Sequence, residues 1–123
     1  MSAIHSKDTQ PEILLRKALF ARGLRYRLHC KLPGSPDVVF PSRLLVVLIH
    51  GCFWHRCQWH GRIPSSNRTY WKKKLERNAQ RDKENIIKLR KLGWRVITVW
   101  EHQIMEQGKL EKAVERVVLA VAV

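Results

Sequence analysis

One unbroken apolar run and a second, mostly apolar one, a long polar segment between them and helical periodicity at both ends predict an α/β fold, a small central mixed β-sheet flanked by helices. Leu44-Leu45-Val46-Val47-Leu48-Ile49 contains no polar residue, the pattern of a strand buried on both faces. Trp94-Arg95-Val96-Ile97-Thr98-Val99-Trp100 reads as a second central strand. Residues 67–92 lie between them and carry apolar side chains at helical spacing. A chain of 123 residues forms one domain, residues 1–123, with a modest core.

The remaining elements follow in order. Thr9-Gln10-Pro11-Glu12 opens a helix, with capping-box spacing and a proline in the first turn. Leu14, Leu15, Ala18, Leu19 and Ala21 form its apolar face, and Gly23 ends it. Leu24 to Cys30 alternates basic and apolar residues, which predicts a strand with one basic face. Leu32-Pro33-Gly34-Ser35-Pro36 is a turn, and Asp37 to Phe40 is a short strand broken by Pro41-Ser42. The long helix has Trp71, Leu75, Ile86, Ile87 and Leu89 as its stripe and Gly93 as its stop. Leu110, Val114, Val117 and Val118 outline a closing helix. The expected order is helix, three strands, helix, strand, helix.

Charge narrows the function. Lys and Arg number 24 against 10 Asp and Glu, a net charge of +14, and such an excess is the footprint of a polyanion partner. Twelve of these cations fall between Arg62 and Arg95, with only Glu76, Asp82 and Glu84 on the long helix to offset them. Lys72, Lys73, Arg77 and Arg81 are the expected contacts to a nucleic-acid backbone. Arg16, Lys17, Arg22, Arg25 and Arg27 form a second basic set. No apolar run approaches the roughly 18 residues of a membrane span, and no signal-peptide core opens the chain. Three cysteines without a secretory signal argue against a disulfide framework, so a cytoplasmic protein with reduced thiols is expected. Nothing in the pattern calls for a small-molecule cofactor.

Chemistry concentrates in His50-Gly51-Cys52-Phe53-Trp54-His55-Arg56-Cys57-Gln58-Trp59-His60. Cys52, Cys57 and His60 have the donors and spacing of a tetrahedral Zn²⁺ site. A loop fixed by zinc would hold Phe53 and Trp54 outward as an aromatic wedge. Upstream, Pro36-Asp37 opens a strand facing the end of the buried strand at Ile49-His50. An acid in that position resembles the metal site of the PD-(D/E)xK nucleases. The D/E-x-K half is missing, because the strand from Leu44 to His50 has neither acid nor lysine.

Leu-Pro-Gly-Ser-Pro-Asp, then His-Gly-Cys-Phe-Trp-His, then Arg81-Asp82, then Gly-Trp-Arg-Val-Ile-Thr-Val-Trp-Glu together resemble the very-short-patch-repair (Vsr) DNA mismatch endonucleases. Lys7-Asp8-Thr9-Gln10-Pro11-Glu12 and Gly23-Leu24-Arg25-Tyr26-Arg27 match that family too, so the resemblance runs from about Ser2 to about Ile104. It implies a PD-(D/E)xK-like (restriction-endonuclease-like) fold with a structural zinc. It also implies a bacterial, nucleoid-associated enzyme that nicks one strand of double-stranded DNA beside a T:G mismatch. Asp37 would bind catalytic Mg²⁺ with the main-chain carbonyl of Ile49. His55 would orient or deprotonate the attacking water, Asp82 would steady His55, His50 would lie near the scissile phosphate, and Glu12 would act through metal-bound waters. Phe53 and Trp54 would intercalate beside the mismatch. His102 stands where the family commonly has cysteine, which makes it the expected fourth zinc ligand, with Cys30 as its rival.

Other readings stand beside these. Glu12 also fits the capping-box partner of Thr9, His50 a core histidine, and Asp82 an ion-pair partner within its own helix. The whole chain also fits a zinc-stabilised DNA-binding module without cleavage, or a related nickase in restriction or defence with another target. Family members often have a longer N-terminal segment that helps embrace the duplex, and weaker DNA affinity or mismatch selectivity is expected if such a segment is absent. A single-strand nick asks only for a monomer.

Overall fold

The computed structural model describes residues 9–28, 30–51 and 67–123. The first helix, α1 (Gln10–Ala21), has proline in its opening turn, where a missing N–H costs nothing. It stops at Gly23, whose φ of 88° is open to glycine alone at little cost, and the Leu24 N–H closes back on the Leu19 carbonyl at 3.2 Å. Three strands follow in the sequence: β1 (Val38–Phe40), β2 (Leu45–His50) and, after the long helix α2 (Arg68–Lys91), β3 (Arg95–Trp100). A short helix, α3 (His102–Met105), and the closing helix α4 (Leu110–Ala122) complete the fold.

The sheet order is β1-β2-β3, with β1 antiparallel and β3 parallel to β2, so it is mixed as expected. All six residues of β2 are buried, which is why its sequence is an unbroken apolar run ending in histidine. Two expectations need correction. The Trp94 to Trp100 run is not a second central strand; β3 flanks β2 within this sheet and its residues are mostly half-buried. Arg95 and Thr98 had signalled this. The Arg95 guanidinium lies across the sheet margin, donating to the carbonyls of Ala120 at 2.9 Å and Arg43 at 3.0 Å.

Nor does the Leu24 to Cys30 stretch form a strand among its described residues. Only Arg27 pairs, in an isolated antiparallel bridge to Val39 with N···O distances of 2.8 and 3.0 Å. β1 offers just three residues and cannot carry a longer ladder. The alternation was nevertheless meaningful, since Leu24, Tyr26 and Leu28 turn inward onto the core while Arg25 and Arg27 remain exposed.

Two apolar layers sandwich the sheet. On one face α1 and α4 bury Leu15, Leu19, Val114 and Val117 against Val38, Phe40, Leu45, Val47, Ile49 and Val99. On the other, Leu89 of α2 meets Val39 and Val46, with Cys30, Leu32, Trp94 and Val96 around them. Ile87 is 52% exposed, against expectation, because Ile86 and Ile87 are adjacent on a helix and cannot both face inward. The turn before β1 rests on α2: a Cβ on Gly34 would sit 3.1 Å from the Asn85 Cβ, and its φ is already 79°. No helix among the described residues is long and apolar enough to cross a membrane.

Candidate active site and nucleic-acid face

Asp37 precedes β1, where its main chain and side chain both clasp β2. Its N–H donates to the Val47 carbonyl at 3.2 Å, and its Oδ2 accepts the Ile49 N–H at 2.6 Å. The ladder explains what lies opposite. The carbonyls of Leu44 and His50 accept N–H groups from Arg95 and Glu101 on the β3 side, at 2.6 and 2.8 Å. Alternation along a strand turns the N–H and carbonyl of odd-numbered residues the other way, as Val47 shows. The Ile49 carbonyl therefore projects on the β1 side, beyond the point where β1 begins and on the side of the Asp37 carboxylate. Because β1 begins only at Val38, opposite Val47, the Ile49 main chain lies beyond the β1–β2 ladder.

Glu12 arrives from the first turn of α1, and its carboxyl hydrogen-bonds with that of Asp37. Thr9 makes no side-chain capping hydrogen bond, so the Thr9 half of the expected capping box is missing. Burial, chiefly, pushes the Asp37 carboxyl from 3.8 up to about 7. The Ile49 N–H opposes that rise, Glu12 adds to it by charge and by hydrogen bonding, and the Arg16 guanidinium pulls it back. Two carboxyl groups held this close share a proton or share a cation. Oxygen donors of this hardness suit Mg²⁺, which keeps several waters and needs few protein ligands.

His50 is 7% exposed and lies edge-on to the Trp100 ring, centroids 5.1 Å apart at 82°. The two are partners across the parallel ladder and share the face of the sheet turned towards α2. Asp82 lies on α2 midway between Leu75 and Leu89, seven residues from each, and both leucines are fully buried. That spacing puts Asp82 on the inward stripe, half-buried, rather than on the solvated face. His102 opens α3 directly after β3 and is half-buried. Cys30 packs into the smaller apolar layer. The expected ligands and wedge residues Cys52, Phe53, Trp54, His55, Cys57 and His60 lie outside the described residues. Among the described residues no three His, Cys, Asp or Glu side chains converge to hold a metal.

The basic helix has a definite topography. A cavity of about 690 Å³ runs along α2, lined by Tyr70, Lys73, Lys74, Arg77, Asn78 and Arg81. These positions recur every three or four residues and so form one flank of the helix. Of the expected backbone contacts, Lys73, Arg77 and Arg81 lie on this flank, Lys74 joins them, and Lys72 falls on the opposite flank. Lys74 Nζ sits 5.9 and 5.8 Å from the ring centroids of Tyr70 and Trp71, which meet edge to face at 5.3 Å. Cations interleaved with aromatic rings suit a nucleic acid, whose phosphates and bases need both.

A family model described as DNA mismatch endonuclease Vsr matches residues 1–61. The Type II nicking enzyme V.XorIIP of Xanthomonas oryzae pv. oryzae is 46% identical over 114 residues, covering 90% of this chain and 83% of the relative. The Type II nicking enzyme V.NmeAIP of Neisseria meningitidis is 44% identical over 121 residues, covering 96% and 86%. The DNA mismatch endonuclease Vsr of Escherichia coli is 38% identical over 112 residues, covering 89% and 72%.

Proposed function

The chain belongs to the Vsr family of DNA endonucleases, and from that footing we propose that it nicks one strand of duplex DNA beside a T:G mismatch by Mg²⁺-dependent phosphodiester hydrolysis, the opening step of very short patch repair. The observation that carries the reading is the Glu12–Asp37 carboxyl pair beside the Ile49 carbonyl. A DNA-binding module has no use for two half-buried acids held against each other in a +14 molecule.

Asp37 and the Ile49 carbonyl are the residues that would hold Mg²⁺, with Glu12 acting through its waters. Bound there, the ion would neutralise charge gathering on the phosphate and acidify water. In hydrolysis the water oxygen forms a new P–O bond while a bridging P–O bond breaks. The water proton passes to a base, and the departing oxygen takes one up. His55 is the proposed base at its imidazole nitrogen, since a neutral imidazole accepts a proton near pH 7, and Asp82 on the inward stripe of α2 would orient it. His50, fixed against Trp100, would face the scissile phosphate. Phe53 and Trp54 would enter the base stack, a step cheapest at a mispair, so deformability contributes to selectivity. Cys52, Cys57, His60 and His102 are the proposed zinc ligands. Cys52→Ser or His102→Ala should each lower zinc content and melting temperature together, and unchanged zinc by elemental analysis would refute that set.

The test is strand cleavage of matched and T:G duplexes with Mg²⁺ or chelator on zinc-loaded protein. A Mg²⁺-dependent nick confined to the thymine strand is expected. Cleavage indifferent to the mispair would point to a nickase of other specificity, and tight binding with no nick to a module without catalysis.

A further inference from the structure

Arg16 is a cation that the roles above leave unused, although it stands at the acid pair. It follows Glu12 by one helical turn, so the two share a face of α1. That face is immobilised from three sides. Leu15 and Leu19 on either side of it along the helix are 0% exposed. The Arg16 carbonyl accepts the Tyr26 hydroxyl at 3.1 Å, and Tyr26 in turn meets the buried Phe40 ring edge to face, centroids 6.3 Å apart. The half-buried side chain folds back along α1, its Nε donating to the Glu12 carbonyl at a long 3.4 Å. Its charge also pulls the Asp37 carboxyl down, against the rise that burial causes.

Charge counting gives this cation a task. Two carboxylates cancel one divalent ion, and a phosphodiester then adds a negative charge that grows as the attacking water closes on phosphorus. β2, which forms the floor of the site, reads Leu-Val-Val-Leu-Ile-His and supplies no lysine or arginine. Resting on the reading of the chain as a Mg²⁺-dependent nickase, we propose that Arg16 is a catalytic residue whose guanidinium leaves its long contact with the Glu12 carbonyl to grip a non-bridging oxygen of the scissile phosphate. A planar fork of donors suits such an oxygen better than a lysine does.

The experiment compares wild type with Arg16→Met and Arg16→Lys on the T:G duplex under single turnover, alongside DNA affinity, melting temperature and Mg²⁺ titration. Removing one preorganised donor from a developing anion typically costs about a hundredfold in rate. Arg16→Met should therefore nick about a hundredfold slower while DNA affinity changes less than about fivefold and melting stays near wild type. Arg16→Lys should recover part of the rate, and millimolar guanidinium should partly rescue Arg16→Met, which a merely structural arginine would not allow. Rates within about threefold of wild type for both variants would overturn the assignment of Arg16 alone. So would a loss that guanidinium leaves untouched and that follows the melting temperature. Failure of the wild type to nick any duplex with Mg²⁺ would overturn the nickase reading and the Arg16 assignment with it.

Discussion

The two faces of the sheet are built differently. Among the described residues, the α1 and α4 face holds twelve buried side chains in one cluster, whereas on the α2 face Val39, Val46 and Leu89 form a smaller cluster and Leu48, His50 and Leu75 are buried outside it. Asp37 and Glu12 sit where the well-packed face meets the end of β2, so the acids inherit its rigidity. Asp82, the Tyr70–Trp71 pair and the cationic flank of α2 occupy the thinner side. Preorganisation of reacting groups needs dense packing behind them, while a surface that must fit a deformable duplex does not.

Each prediction presses on that contrast, beginning with the largest effect. Asp37→Ala should cut nicking by about a thousandfold or more and leave DNA affinity within a few-fold, because this acid serves the chemistry while the exposed cations of α2 serve binding. Undiminished cleavage in that variant would sink the assigned roles. Leu19→Ala opens a cavity in the denser cluster and should cost about 3 kcal/mol in denaturant unfolding. A loss below about 1 kcal/mol would mean that the face is looser than its burial implies.

The acid pair also gives the metal-free protein a pH signature. The Asp37 carboxyl stands at about 7 in the fold against 3.8 for the ordinary group, so folding favours its protonated form. Its contribution is complete below about pH 4 and is lost as the pH rises through about 7. In chelator, melting temperature should fall across that window, and Asp37→Asn should flatten the fall. A profile equally steep in the variant would place the titration elsewhere. The smallest effect separates the two flanks of α2. Arg77→Ala should weaken binding to any duplex and reduce the slope of log affinity against log salt by about 1. Lys72→Ala, on the other flank, should move it less; equal slopes would mean that DNA wraps the helix.

How much of this was legible beforehand differs between the same regions. β2, α1, α2 and α4 were readable because each carries a regular apolar pattern, five consecutive apolar residues in β2 and helically spaced leucines, isoleucines or valines in the helices. Leu24 to Cys30 deceived because inward packing at period two does not require a ladder. The short helix at His102 left no period to read in four residues. Asp37 and Ile49 were legible through family resemblance and not through composition. Arg16 was visible only as one of several basic residues near the N-terminus, since nothing local says that Tyr26 and two leucines aim its turn at an acid. That knowledge is three-dimensional.

The parallel pairing of β2 with β3 has a temporal side. Ile49 lies opposite Val99, fifty residues later in the chain, with the whole of α2 spanning the gap. Closing so long a segment is entropically slow, and the β1–β2 hairpin is too slight to hold by itself meanwhile. During synthesis, then, Asp37 and Ile49 leave the ribosome long before the strand that fixes their geometry exists. A nascent chain halted before Arg95 would carry the acids without a competent centre, so the capacity to cut DNA should arise only when Trp100 has been made and docked.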